Sequence, residues 1–202
     1  MIRADAAVLD RRHRRAASLE GLTEQTHDQL VDQLEEVLPY NCEHVVPQSW
    51  FGKAEPMRGD LHHLFACESR CNSFRGNTPF VELSHWPPEP EQAAEPDLPD
   101  GVVADAVRPD CGKRTNAGFE PDQGEGVAAR ALLFVTLRYP EVIEPDELDP
   151  ARYDDLLAWH AQDPVAEWER HRNATIHERQ GNRNPFIDHP DRAAALVTSL
   201  RQ

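Results

Sequence analysis

Apolar positions recur with helical spacing over residues 5–38, where Leu30, Val31, Leu34, Val37 and Leu38 form one stripe. Thr23 or Thr26 can cap the second half of this segment, and Pro39 ends it. Residues 41–46 read as a short extended run that stops at Pro47. From Asp60, the spacing of Leu61, Leu64 and Phe65 predicts a helix over 60–74, with Asp60 as N-cap and Gly76 at its C-terminal end. Residues 81–122 carry scattered prolines among acids, and the pattern there supports only short strands, near 101–107. An Ala-rich apolar run predicts a buried helix over 127–138, closed by Pro140. Two more helices are expected over 146–160 and 163–180. The second has Asp163 as N-cap, Pro164 at its first position and Gly181 past its end. A turn-rich segment, 182–190, precedes a last short helix from Asp191.

These elements predict an α+β fold, mostly helical and a single domain over 202 residues. It divides into an N-terminal helical segment (1–39), a central segment (40–80), a Pro-rich acidic excursion (81–122) and C-terminal helices (123–202). No apolar run approaches the roughly 18 residues of a membrane span, so no membrane partner is expected. The basic cluster from Arg11 to Arg15 is followed by no apolar core of a secretory leader, which gives a cytoplasmic expectation.

The net charge of −15 weighs against nucleic acid as a partner, because phosphate backbones are held by Lys and Arg. Distribution modifies that. Acids gather at 89–105, 120–125 and 141–155, while arginines gather near Arg70 and Arg75 and from Arg170 to Arg183. A basic cleft on an acidic body would bind nucleic acid weakly and with strong salt dependence.

The chemistry centres on Glu43-His44 and Asn72. A carboxylate and an amide oxygen suit a hard divalent cation such as Mg²⁺. An imidazole can take a proton from water near neutral pH. Strand neighbours point to opposite faces, so Glu43 and His44 share a site only if the strand ends there. On the predicted helix Asn72 and Arg75 stand three apart on one face, which lets Arg75 meet a phosphate beside the metal. The plain alternative is an exposed polar pair and a helix-end Asn.

The runs around these residues decide between the two. Glu43-His44-Val45-Val46-Pro47-Gln48-Ser49-Trp50-Phe51 is followed by Asp60-Leu61-His62-His63-Leu64, then Asn72-Ser73-Phe74-Arg75-Gly76-Asn77. Farther on come Leu156-Leu157-Ala158-Trp159-His160, Arg172-Asn173 and Gln180-Gly181-Asn182-Arg183-Asn184-Pro185-Phe186. In this order they resemble the bacterial endonuclease I family, nonspecific nucleases with a ββα-metal (His-Me finger) site. The resemblance implies a Mg²⁺-dependent endonuclease acting on DNA, with RNA as a second substrate, and leaving 5′-phosphate and 3′-hydroxyl ends. It implies His44 as general base and Glu43 and Asn72 as metal ligands. Relatives also carry a phosphate-assisting arginine, for which Arg58, Arg75 and Arg183 are the candidates here. Many members have His-Asn-Leu where this chain has His62-His63-Leu64. The rival reading is a catalytically idle nucleic-acid- or protein-binding domain on the same scaffold. Another is a zinc hydrolase using His44, His62 and His63, although packing in the core is the expectation for His62 and His63, as for His85, His160, His177 and His189. Arg172, Asn173 and the polar residues from Asn182 to Asn184 either touch DNA or tie the C-terminal turn to the core.

Four cysteines leave two explanations. Cys67 and Cys71 stand four apart on the predicted helix, too far for a disulfide, and with Cys42 and Cys111 they make a four-thiolate set for structural Zn²⁺. The alternative is disulfides or free buried thiols.

Overall fold

The structure is a computed structural model, and it describes residues 40–83, 106–108, 110–140 and 152–200. The expected N-terminal helix, His85, most of the Pro-rich excursion and residues 146–151 of the next expected helix lie outside the described residues. The architecture is α+β.

Strand β1 (Tyr40–His44) pairs antiparallel with β2 (Leu64–Glu68), in the register Tyr40↔Glu68 to His44↔Leu64. Helix α1 (Ser69–Arg75) follows directly and packs on both strands, completing a ββα unit. The connection from β1 to β2 is built of three 3₁₀ turns, Gln48–Phe51, Met57–Gly59 and Leu61–His63. The single helix expected over 60–74 is therefore corrected to a 3₁₀ turn, a strand and a two-turn helix. The apolar neighbours that suggested a helical stripe obey a period of two once paired with β1: Phe65 and Cys67 are buried and Ala66 between them is exposed. Both ends of the prediction survive. Asp60 accepts from the His62 amide at 2.9 Å, capping the turn, and Gly76 closes α1 with φ 61°.

Within the Pro-rich stretch, β3 (Ala106–Arg108), β4 (Gly112–Arg114) and β5 (Phe119–Pro121) form an antiparallel sheet in that order. The core runs along α2 (Glu125–Arg138), which is buried from Gly126 to Val135 and packs against α3 (Arg152–Gln162). Gly126 is required for that approach, since a Cβ there would stand 2.4 Å from the Asp163 carbonyl oxygen.

Helix α4 (Glu167–Gln180) begins later than expected. Asp163 does not cap it. Its amide closes α3 on the Trp159 carbonyl (3.0 Å), and its own carbonyl accepts from Arg130 Nη1 (2.8 Å). Ala166 takes the cap position, its amide donating to Glu169 Oε1 at 2.9 Å. Arg130, buried on α2, also grips both Glu169 oxygens (2.8 and 2.9 Å), so one guanidinium joins α2, α4 and the turn before α4. The turn-rich segment contains α5 (Pro185–Asp188), capped by Asn184, and a 3₁₀ turn (Pro190–Arg192) leads into α6 (Ala193–Leu200).

Candidate active site

β1 ends at His44 and the chain bends through Val45 and Val46 to Pro47, which is what lets neighbouring side chains face one place. Glu43, His44 and Asn72 line a single open cleft of about 340 Å³, together with Gln48, Ser49 and Lys53. The ending of the strand satisfies the condition set for a shared site.

Asn72 and His44 are each oriented by a backbone carbonyl, and a carbonyl can only accept. Asn72 faces the Cys42 carbonyl at 3.2 Å, so the amide nitrogen must be on that side and Oδ1 is left for the cleft. His44 Nε2 faces the Arg58 carbonyl at 3.1 Å, so Nε2 carries the proton and Nδ1 keeps its lone pair. Gln48 Nε2 stands 3.4 Å from that Nδ1. Burial lowers the His44 pKa below its ordinary value. The Arg58 carbonyl opposes this and the Arg58 guanidinium charge reinforces it. His44 is thus held neutral, the state a base requires.

Glu43 is 2% exposed, and its Oε1 is bound by Arg75 Nη1. Burial pushes the Glu43 carboxyl up, and the charge and hydrogen bond of Arg75 only partly offset this. Arg75 itself corrects an expectation. It is buried, not cleft-facing: it donates to the carbonyls of His44 (2.9 Å), Val45 (2.9 Å) and Thr78 (3.0 Å) and lies over the Phe80 ring. Its donors are spent clamping α1 to the end of β1, so it is not placed to meet a phosphate. Arg183 is also engaged, in a two-bond pair with Asp188 (both 2.7 Å). Among the described residues lining the cleft, the cation is Lys53, which the sequence reading missed. It follows Gly52 in the left-handed region (φ 59° and 58°), a conformation no spacing rule reveals for a lysine.

The oxygen donors fit a hard cation. Arg75 takes Oε1 of Glu43 and leaves Oε2, Asn72 presents Oδ1, and a buried carboxylate with raised proton affinity gains from a second positive charge.

His62 and His63 are core residues, as expected. His63 Nε2 donates to the Met57 carbonyl (2.7 Å) and His62 Nε2 to that of Asn182 (3.3 Å), with His62 against Phe134. They do not join His44 in a zinc triad. Arg172 donates to the Leu61 and Leu64 carbonyls, and Asn173 exchanges hydrogen bonds with Asn184, so both tie α4 to neighbouring segments.

The four-thiolate zinc set is not formed. Cys71 and Cys111 are joined in a disulfide. Cys42, opposite Ala66, and Cys67, opposite Asn41, occupy adjacent register positions and so opposite faces of the hairpin, the first exposed and the second buried. The helical spacing of Cys67 and Cys71 was illusory, because Cys67 belongs to β2. Burial, with Glu43 and Glu68 nearby, pushes the Cys67 thiol up to about 12.

The model of the family Endonuclease I matches residues 6–191. The chain belongs to the Endonuclease I family. It is 33% identical over 169 residues to an extracellular ribonuclease of Bacillus amyloliquefaciens, covering 75% of this chain and 52% of the relative. It is 30% identical over 164 residues to an extracellular deoxyribonuclease of Aeromonas hydrophila, covering 72% and 64%. A periplasmic deoxyribonuclease of Aeromonas hydrophila is 31% identical over 132 residues, covering 65% and 48%. This Endonuclease I family chain spans about half the length of the first Bacillus relative. Names that read extracellular and periplasmic overturn the cytoplasmic expectation, which had rested on a missing apolar leader. The Cys71–Cys111 disulfide belongs with the correction, since such bonds persist in oxidising compartments.

Proposed function

We propose that this chain is a Mg²⁺-dependent, sequence-nonspecific endonuclease that acts outside the cytoplasm on DNA, and on RNA as well. The observation that carries the reading is the convergence of Glu43, His44 and Asn72 on one cleft, with the base nitrogen of His44 left unprotonated. Family membership and relatives named both deoxyribonuclease and ribonuclease support it.

Glu43 Oε2 and Asn72 Oδ1 would hold the cation, which when bound would stabilise charge on the phosphate and the leaving 3′ oxygen. His44 Nδ1 takes the proton of a water that attacks phosphorus. The Arg58 carbonyl stabilises the imidazolium formed, through the bond it already accepts from Nε2. Gln48 Nε2 donates to the same Nδ1 at 3.4 Å, a long bond that the attacking water would displace. Lys53 supplies positive charge to the phosphate at the cleft wall. Attack on that side with departure of the 3′ oxygen gives 5′-phosphate and 3′-hydroxyl products.

The test is cleavage of plasmid DNA and of single-stranded RNA by purified protein with Mg²⁺, with chelator, and with His44→Ala. Cleavage is expected to need the cation and to fall at least about 100-fold in the variant, the scale of a positioned general base. Undiminished cleavage by His44→Ala would refute the mechanism, and wild-type protein that binds but never cleaves would favour an idle binding domain.

A further inference from the structure

The disulfide has a carboxylate beside it. Glu68, the last residue of β2 just before α1, places Oε2 at 3.4 Å from Cys71 Sγ, and the donor atoms of Glu68, Cys71 and Cys111 lie within 4.8 Å of one another. Among the described residues this is the one group of three such donors so gathered. Cys71 and Cys111 are buried and Glu68 is half-buried, so the cluster is enclosed on the protein side and open at the carboxylate.

We propose that, once the disulfide is reduced, Cys71, Cys111 and Glu68 form a zinc site that holds α1 in place where the disulfide cannot form. Two thiolates and a carboxylate are a donor set for Zn²⁺, with water as fourth ligand, whereas Mg²⁺ and Ca²⁺ take oxygen alone. The loop is built for this without the covalent bond. The Cys111 amide donates to the Arg108 carbonyl (3.0 Å), and its carbonyl accepts from the Asp122 amide (3.3 Å). The Asp110 amide is held by Asp122 Oδ2 at 3.0 Å. Cys71 is fixed on α1, which Arg75 clamps to β1 independently. Arg70 uses Glu68, but a carboxylate has about four lone-pair positions and can serve both partners.

The chemistry balances with a dithiol as reductant. Its two thiols become a cyclic disulfide, the Cys71–Cys111 bond breaks to two thiols, and their two protons leave to water as the thiolates take the metal. Thiol–disulfide exchange with an oxidised dithiol reverses this: its disulfide is reduced to two thiols, the Cys71–Cys111 bond re-forms and zinc is released. A chain made in a reducing compartment and working in an oxidising one would thereby keep α1, and Asn72 next to Cys71, pinned in both.

The test uses the full chain, reduced with a dithiol, desalted anaerobically and dialysed against limiting Zn²⁺, with metal content read by mass spectrometry. Co²⁺ serves as an optical probe through its thiolate charge-transfer band. About one zinc per chain is expected in the reduced protein and none in the oxidised protein. Cys111→Ser is expected to abolish binding and Cys42→Ser to retain it. Glu68→Gln, which keeps both cysteines, should weaken it by more than about tenfold, a loss that outer-sphere changes alone can reach. Equal uptake by oxidised and reduced protein, no uptake on reduction, or wild-type affinity in Glu68→Gln overturns the proposal. Zinc content is read without any cleavage assay, so this outcome and that of the nuclease reading are independent.

Discussion

His63 is a buried imidazole with one satisfied nitrogen. Its Nε2 donates to the Met57 carbonyl, while Nδ1 is buried without a partner among the described residues and the ring meets His44 edge-on at 5.5 Å. Protonating Nδ1 would create an unpaired buried cation, and burial above all lowers the pKa to about 4. The ordinary value is about 6.5, so as pH falls the unfolded chain takes up this proton first. The stability owed to neutral His63 is whole above pH 6.5 and is lost as pH falls from there toward 4. The loss is roughly 3 kcal/mol at its limit. His63→Gln, whose amide nitrogen reaches about as far as Nε2, keeps a donor for Met57 without a titrating group. Urea unfolding across pH 7 to 4.5 should therefore show a shallower acid decline in the variant than in wild type. Parallel declines would mean that His63 does not carry the effect. The same residue shows what a motif can conceal: the doublet His62-His63 offers two metal ligands in sequence, yet each spends Nε2 on a distant carbonyl.

At the scale of elements, the ββα unit was legible at its ends and obscure in its middle. Pro47, Asp60 and Gly76 marked boundaries because each fixes a backbone state locally. β2 was missed because its pairing with β1 is non-local, and Leu64-Phe65 suits a short helix as well as a strand. That Glu43, His44 and Asn72 share one cleft was legible because the chain carries them in recognisable runs. The role of Arg75 was not, since only the fold shows that it closes the joint between α1 and β1. Removing it strands Glu43 as a buried, unpaired carboxylate. Arg75→Ala is thus expected to cost about 3–5 kcal/mol, as breaking a buried pair from one side does. Chemical denaturation at pH 7 measures this, and a loss under about 1 kcal/mol would show that α1 is held by other contacts.

For the whole molecule, a net charge of −15 opposes the approach of a polyanion, and Lys53 at the cleft is a small local counterweight. Long-range repulsion and local attraction differ in reach. At 0.15 M salt the Debye length is about 8 Å, so distant acids are screened while a cation touching phosphate is not. The acids of residues 89–105, namely Glu89, Glu91, Glu95, Asp97, Asp100 and Asp105, lie outside the described residues and contribute six negative charges to the field of the whole chain. Replacing all six by Gln or Asn should raise the rate of DNA cleavage at about 10 mM salt, where the Debye length is about 30 Å. The gain should vanish near physiological ionic strength. Lys53→Ala should do the reverse, lowering the rate at both salt concentrations, because it lines the cleft in which the proposed function places the phosphate. Measured side by side on one DNA substrate, the two variants separate the field of the protein from the chemistry of the cleft. A charge-neutralised variant with an unchanged rate at low salt would show that the acidic segment does not govern access.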